Sequence, residues 1–149
     1  MYLQKTQPAW SDGAPMQPGD EIEVSYPDIH PIPHRGLIYR LIEGPFGVTG
    51  IEVVHNSKQP GVCLVSWNDF AQGQPIRLLR RPSSPEHRQA ILARATANIG
   101  HPYDAAQANC EHFTDFCYNG VQGQSPTLQK GVLVAAGILA LFAFGGDHD

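Results

Sequence analysis

Beyond Gly19 the chain alternates apolar and polar residues with a period of two. Ile22, Val24 and Tyr26 interleave with Glu21, Glu23 and Ser25, which predicts a half-buried strand over residues 21–26. Pro27, Pro31 and Pro33 make the next stretch a constrained loop. Residues 35–42 and 48–55 predict two further strands, joined by the turn residues Gly44, Pro45, Phe46 and Gly47. Segments 61–67 and 75–79 bring the strands to five. With no crossover helix between them, an antiparallel sheet is the natural assembly.

The period then changes. Ser83 with Glu86 three residues on forms a capping box, and Pro85 suits a first helical turn. Ile91, Leu92, Ala95 and Ile99 follow at helical spacing until Gly100 ends the run. A second helix is expected to start near Asn109, with Phe113, Phe116 and Cys117 on one face and Asn119-Gly120 as its C-cap. A third starts at Ser125-Pro126 and continues into an uncharged stretch over 131–144. Strands first and helices after predict the α+β class: an antiparallel β-sheet packed against helices, with a C-terminal apolar helix. The chain divides into an irregular lead-in (1–17), a globular domain (18–124), and an apolar helix with an acidic tail (125–149).

Composition narrows the function. The 149 residues predict one core-forming domain that needs no disulfide or metal staple. A net charge of −4 offers no electrostatic footprint for nucleic acid. Arg77, Arg80, Arg81 and Arg88 form the one basic cluster, readable as a solvated face or as a contact for lipid phosphates. Three cysteines, Cys63, Cys110 and Cys117, have no framework spacing. On one helix Cys110 and Cys117 would stand roughly 10 Å apart, too far to bridge. The polar start of the chain has no apolar signal-peptide core, so a reducing cytoplasm is the expected setting of the globular part.

Candidate chemistry centres on Cys110. Asn109 as N-cap puts this cysteine at the first helical position, where the partial positive charge of the helix terminus is expected to lower the thiol pKa. Free N–H groups of that turn could also hold an oxyanion. A nucleophilic cysteine needs a base. His34 stands where the proline-rich loop enters a strand. If the hairpin closes around Gly44 and Pro45, His55 faces His34 directly on the same side of the sheet. Two histidines facing one capping cysteine make a base and its orienter; two unrelated sheet histidines are the alternative. His148 in the tail and His87 in an exposed first turn are poorer choices, while His112 and Tyr103 read as packing residues. Cys110 and His112 lack a second ligand pair, so neither a metal nor another cofactor is expected.

Asn109-Cys110-Glu111-His112-Phe113 resembles the signature of the lecithin:retinol acyltransferase-like family, which includes the small HRAS-like suppressor phospholipases and acyltransferases. Residues 19–24 resemble that family's first strand, His34-Arg35-Gly36-Leu37-Ile38 its first histidine block, and Val53-Val54-His55 its second. The resemblance implies Cys110 as nucleophile, His34 as base and His55 as orienting residue, on a permuted, papain-like fold of the NlpC type. It also implies a lipid-directed thiol acyltransferase or phospholipase A-type hydrolase, acting on a phospholipid or other acyl ester through a thioester. A cysteine amidase or peptidase with the same Cys-His-His set and a non-catalytic membrane-binding module are the alternatives. The segment 131–144 would span about 21 Å as a helix, against roughly 30 Å of hydrocarbon. Apolar on every side, it reads as a membrane anchor rather than a core helix, with the globular part cytoplasmic.

Overall fold

Alternation becomes a single antiparallel sheet of five strands: β1 (Glu21–Val24), β2 (His34–Gly44), β3 (Gly47–Ser57), β4 (Gly61–Ser66) and β5 (Ile76–Arg80). The structure, a computed structural model, describes residues 7–28, 32–104 and 109–120. Strands lie in the order β4-β3-β2-β1-β5. The first four therefore form a meander, and β5 returns beside β1 after the short helix α1 (Trp67–Ala71). Helices α2 (Pro85–Asn98) and α3 (Cys110–Asn119) follow. The class is α+β, as the pattern predicts. The apolar segment 131–144 lies outside the described residues, and among those described no helix is long and apolar enough to cross a membrane.

Both faces of the sheet are covered. On one, Leu37, Val54 and Val62 pack against Ile91 and Ala95 of α2 and Phe113, Phe116 and Cys117 of α3. On the other, Ile22, Val24, Ile38 and Val53 pack with Trp10 and Phe70. The lead-in from residue 7 onward holds no helix or strand, yet it contributes Trp10, whose indole donates to Asp20 Oδ2 at 2.9 Å. β1 is buried along its whole length, not half-buried as its alternation predicts. Its acids Glu21 and Glu23 are covered because Arg80, Arg77 and Arg35 reach them.

The arginine cluster makes contacts within the fold that neither sequence reading included. Arg77 pairs with Glu23, Arg80 with Glu21 and Asp115, and Arg81 with Asp12, while Arg88 donates to the Pro18 carbonyl. Each has a partner within the fold, though Arg77 remains largely exposed.

Helix ends follow local chemistry. Ser84, one residue beyond the expected Ser83, caps α2 by accepting from the His87 N–H. Ser83 instead donates its backbone N–H to His87 Nδ1 at 3.0 Å, which puts the ring proton on Nε2, 2.8 Å from the Tyr118 carbonyl. His87, expected to be exposed, thus joins the start of α2 to the end of α3. Asn109 caps α3, and Gly120 closes it with a φ of 68°.

The hairpin register carries a correction. Gly44 pairs with Gly47, so the tip is Pro45-Phe46 rather than Gly44-Pro45. Two irregularities, between Ile38 and Arg40 and between Ile42 and Glu43, offset each other, so the register set at the tip puts Gly36 opposite His55. His34 is therefore a diagonal neighbour of His55, not its direct partner. Two residues is a whole pleat, so both rings stay on one face.

The loop that enters α3 is held to β4. Val62 N–H donates to the His101 carbonyl at 2.9 Å and Gly100 N–H to Val62 O at 2.8 Å. This closeness requires Gly61, at φ +98°, because a Cβ there would overlap the His101 carbonyl oxygen. Gly61→Ala should lower stability by about 2 kcal/mol or more, through both the left-handed backbone and the overlap. Thermal unfolding measures this, and a wild-type midpoint would show the contact to be dispensable.

Candidate active site

A cleft of about 640 Å³ opens where β2 and β3 meet the N-terminus of α3, and Tyr26, His34, His55, Tyr103 and Cys110 line it. A second cleft of similar volume, about 650 Å³, lies along the β2–β3 hairpin beside Ile42, Ile51 and Trp67 and holds none of these groups. The three residues singled out from sequence thus share one cavity. Among the described residues no cluster of His, Cys, Asp or Glu is disposed to hold a metal ion.

Cys110 is the first residue of α3 because Asn109 turns the chain: its backbone is extended and its side chain accepts from the His112 N–H at 2.9 Å. Asn56, buried on β3, donates its amide to the Asn109 carbonyl at 3.5 Å and ties the cap to the sheet. The thiol is not acidified as the helix terminus alone suggests. Burial pushes the Cys110 thiol above its ordinary value; hydrogen bonds from the Arg35 and Glu111 backbone N–H groups and the Arg35 charge pull the other way without prevailing. All three cysteines are free, and Cys117 is fully buried in the core.

The two imidazoles meet edge to face. His34 Nε2 lies 2.6 Å from His55 Nδ1, with ring centroids 4.9 Å apart at 83°. Phe70 lies against both, 5.5 Å from His34 and 5.6 Å from His55. Tyr26 stands 6.2 Å from His34 and donates its hydroxyl to the Phe70 carbonyl. Burial lowers the His55 pKa to about 4, so this ring is neutral near pH 7. Tyr26 is pushed up to about 12, first by burial and then by the charge of Cys110, and Tyr103 shifts upward for the same two reasons. Both phenols stay protonated as cleft walls.

Sequence reading missed the floor of the site. Helix α1 carries Phe70 under the two rings, and a signal for it was present. Ser66 accepts from the Asp69 N–H as N-cap, and Trp67, Phe70 and Ala71 then fall on one helical face. At five residues α1 is short enough to be taken for the end of a strand. His112, read from the sequence as a packing residue, sits in the first turn of α3.

The family model for lecithin retinol acyltransferase matches residues 48–123, just over half of the chain. The chain belongs to this family. The matched span runs from the start of β3 past the end of α3 and contains His55 and Cys110; His34 lies upstream of it. Comparison with curated proteins returns no match. Membership in the lecithin retinol acyltransferase family indicates a function of the acyltransferase or hydrolase type.

Neutral His55 has a thermodynamic consequence. Between its ordinary value of 6.5 and the folded value of about 4, the unfolded chain binds a proton that the native protein does not. Stability therefore falls as the pH drops through this window and the contribution levels off below it, on the order of 3 kcal/mol in full. His55→Asn should flatten the dependence of the melting temperature on pH between 6.5 and 4.5. Parallel slopes in the variant and wild type would mean that His55 is not held neutral by the fold.

Proposed function

We propose that the protein is a lipid-directed cysteine acyltransferase or acyl hydrolase of permuted papain-like type, with Cys110 as nucleophile, His34 as general base and His55 as orienting residue. The observation that carries this reading is the 2.6 Å contact between the two histidines in the cleft that holds the helix-capping Cys110. Family membership supports acyl chemistry, and the apolar surfaces of Tyr26, Ile32, Pro33 and Tyr103 along the cleft suit an acyl chain.

Because burial disfavours the thiolate, the resting nucleophile is a neutral thiol, and its proton moves as attack begins. His34 takes the Cys110 proton while sulfur adds to the ester carbonyl. N–H groups at the start of α3 receive the oxyanion. His34, now an imidazolium, donates through Nε2 to His55 Nδ1, which remains an acceptor because His55 resists protonation. Collapse expels the alcohol, which takes the proton from His34, and leaves a thioester on Cys110. Water or an amine then attacks the thioester, with His34 again as base. The membrane would be engaged through residues 131–144 from the cytoplasmic side.

Cys110→Ala should abolish acyl transfer by several orders of magnitude, while Cys63→Ala and Cys117→Ala leave the chemistry in place. His34→Ala should cost nearly as much as loss of the nucleophile, and His55→Asn less, since an amide can still accept from His34. Intact-protein mass spectrometry after incubation with mixed phospholipids should reveal a fatty-acyl mass on Cys110. A peptidyl mass would point to the amidase or peptidase chemistry, and a catalytically intact Cys110→Ala would end the proposal.

Removal of residues 125–149 should abolish flotation with liposomes while leaving Cys110 activity on dispersed short-chain substrate. Loss of cooperative unfolding in the shortened chain would assign those residues to the core instead.

A further inference from the structure

The backbone N–H groups of Arg35, at the start of β2, and of Glu111, in the first turn of α3, both favour the thiolate of Cys110. The side chains of the same two residues form an ion pair, Arg35 Nη1 to Glu111 Oε1 at 3.6 Å. The ion pair thus joins the chain neighbour of His34 to the chain neighbour of Cys110. We propose that the Arg35–Glu111 ion pair is a positioning clamp, which fixes β2 against the first turn of α3 and so sets Cys110 relative to the residue preceding Arg35, His34. The proposal rests on the assignment of Cys110 as nucleophile and His34 as base, and adds two residues that position them.

The surroundings explain why Arg35 is aimed at this place. Side chains alternate across β2: His34 shares the face of Val24, its cross-strand partner, while Arg35 shares the face of Glu23. The strand thus offers its imidazole to one side and its guanidinium to the other, beneath α3. Arg35 Nε lies 3.5 Å from Glu23 Oε2, and Nη1 lies 3.9 Å from Glu21 Oε1, a buried oxygen with no hydrogen bond among the described residues. These acids orient the guanidinium but do not depend on it, because Glu21 also pairs with Arg80 and Glu23 with Arg77. Losing Arg35 leaves β1 with cationic partners and removes the pairing of Glu111. Glu111 is 55% exposed at its side chain, so the pair contributes little to stability. Its effect falls on geometry at the sulfur.

Charge and clamping predict opposite signs for one variant. Through charge alone, Arg35→Gln raises the thiol pKa and Glu111→Gln lowers it. Through the clamp, either substitution loosens Arg35 and Glu111 about the thiol and weakens the favourable action of their backbone N–H groups, so both raise it. The measurement is the pH profile of Cys110 alkylation by iodoacetamide on the full chain, with the site located by mass spectrometry. No lipid substrate is needed, so the result stands even if the acyl-transfer reading fails. Alkylation at pH 7 is expected to slow about tenfold in Arg35→Gln and severalfold in Glu111→Gln, through a smaller thiolate fraction. The double variant should be no slower than Arg35→Gln, and Arg35→Lys should recover only part of the rate, since an ammonium lacks the planar fork. Where acyl transfer is measured, kcat should fall with KM nearly unchanged. Faster alkylation in Glu111→Gln, or additive losses in the double variant, would overturn the clamp. If Arg35→Gln fails to fold, Glu111→Gln decides the question alone, its side chain being more than half exposed.

Discussion

The docking of the first turn of α3 against the start of β2 is the constraint on which the site depends. Phe113, Phe116 and Cys117 bury one stripe of α3 on the sheet, and Glu111 and Asp115 present a second, acidic stripe to Arg35 and Arg80. The apolar stripe supplies the adhesion, since area removed from water is the main favourable term. Ion pairs supply direction. Phe113 and Phe116, buried in the close-packed core, resist sliding of the helix, and the Glu111 and Asp115 pairs add direction at its exposed side. Tyr118 adds a third fixed point: its hydroxyl donates to the Gly19 carbonyl at 2.6 Å, and Arg80 lies 4.1 Å over its ring.

Burial sets the electrostatics of the cleft more than any single charge does. It raises the Cys110 thiol, lowers His55 to about 4 and raises Tyr26 to about 12. Each shift favours the neutral form, so these three groups stay uncharged at rest, while Lys58, Asp69 and Glu111 carry the charge of the cleft lining. The uncharged groups suit an apolar acyl chain. Burial also strengthens the interactions of whatever charge appears at the sulfur during attack. The aromatic floor contributes directly: Phe70 shields both imidazoles and has no polar atom with which to stabilise a proton on His55.

Much of this was legible in the amino-acid order. Alternation at Ile22 and Val24 marked β1, proline and glycine marked the turns, and Asn109 and Gly120 marked both ends of α3. These are local effects, decided within a few residues by φ/ψ preference and by orphan helix-terminal groups. Family resemblance then singled out Cys110, His34 and His55, and the fold brings all three to one cleft. Local reasoning was less secure where neighbours compete. Ser83 and Ser84 both offer a capping hydroxyl, and the choice fell to Ser84 because the His87 ring engages Ser83.

What tertiary structure alone decided are the quantities that belong to pairs of distant residues. The hairpin tip, with two irregularities that offset each other, sets His55 opposite Gly36 and diagonal to His34, a register that no residue encodes by itself. The thiol pKa turned on burial, a property of the packed cleft, against which the terminus of one helix did not prevail. The arginines that looked like a solvent or phosphate patch close onto Glu21, Glu23, Asp12 and Asp115, because the fold brings β1, the lead-in and α3 within their reach. By itself the sequence determined the α+β order of elements, the cap that places Cys110 and the family, since each is written in contiguous residues. Register, burial and ion pairing arise only when residues far apart in the chain compete for the same space and the same partners.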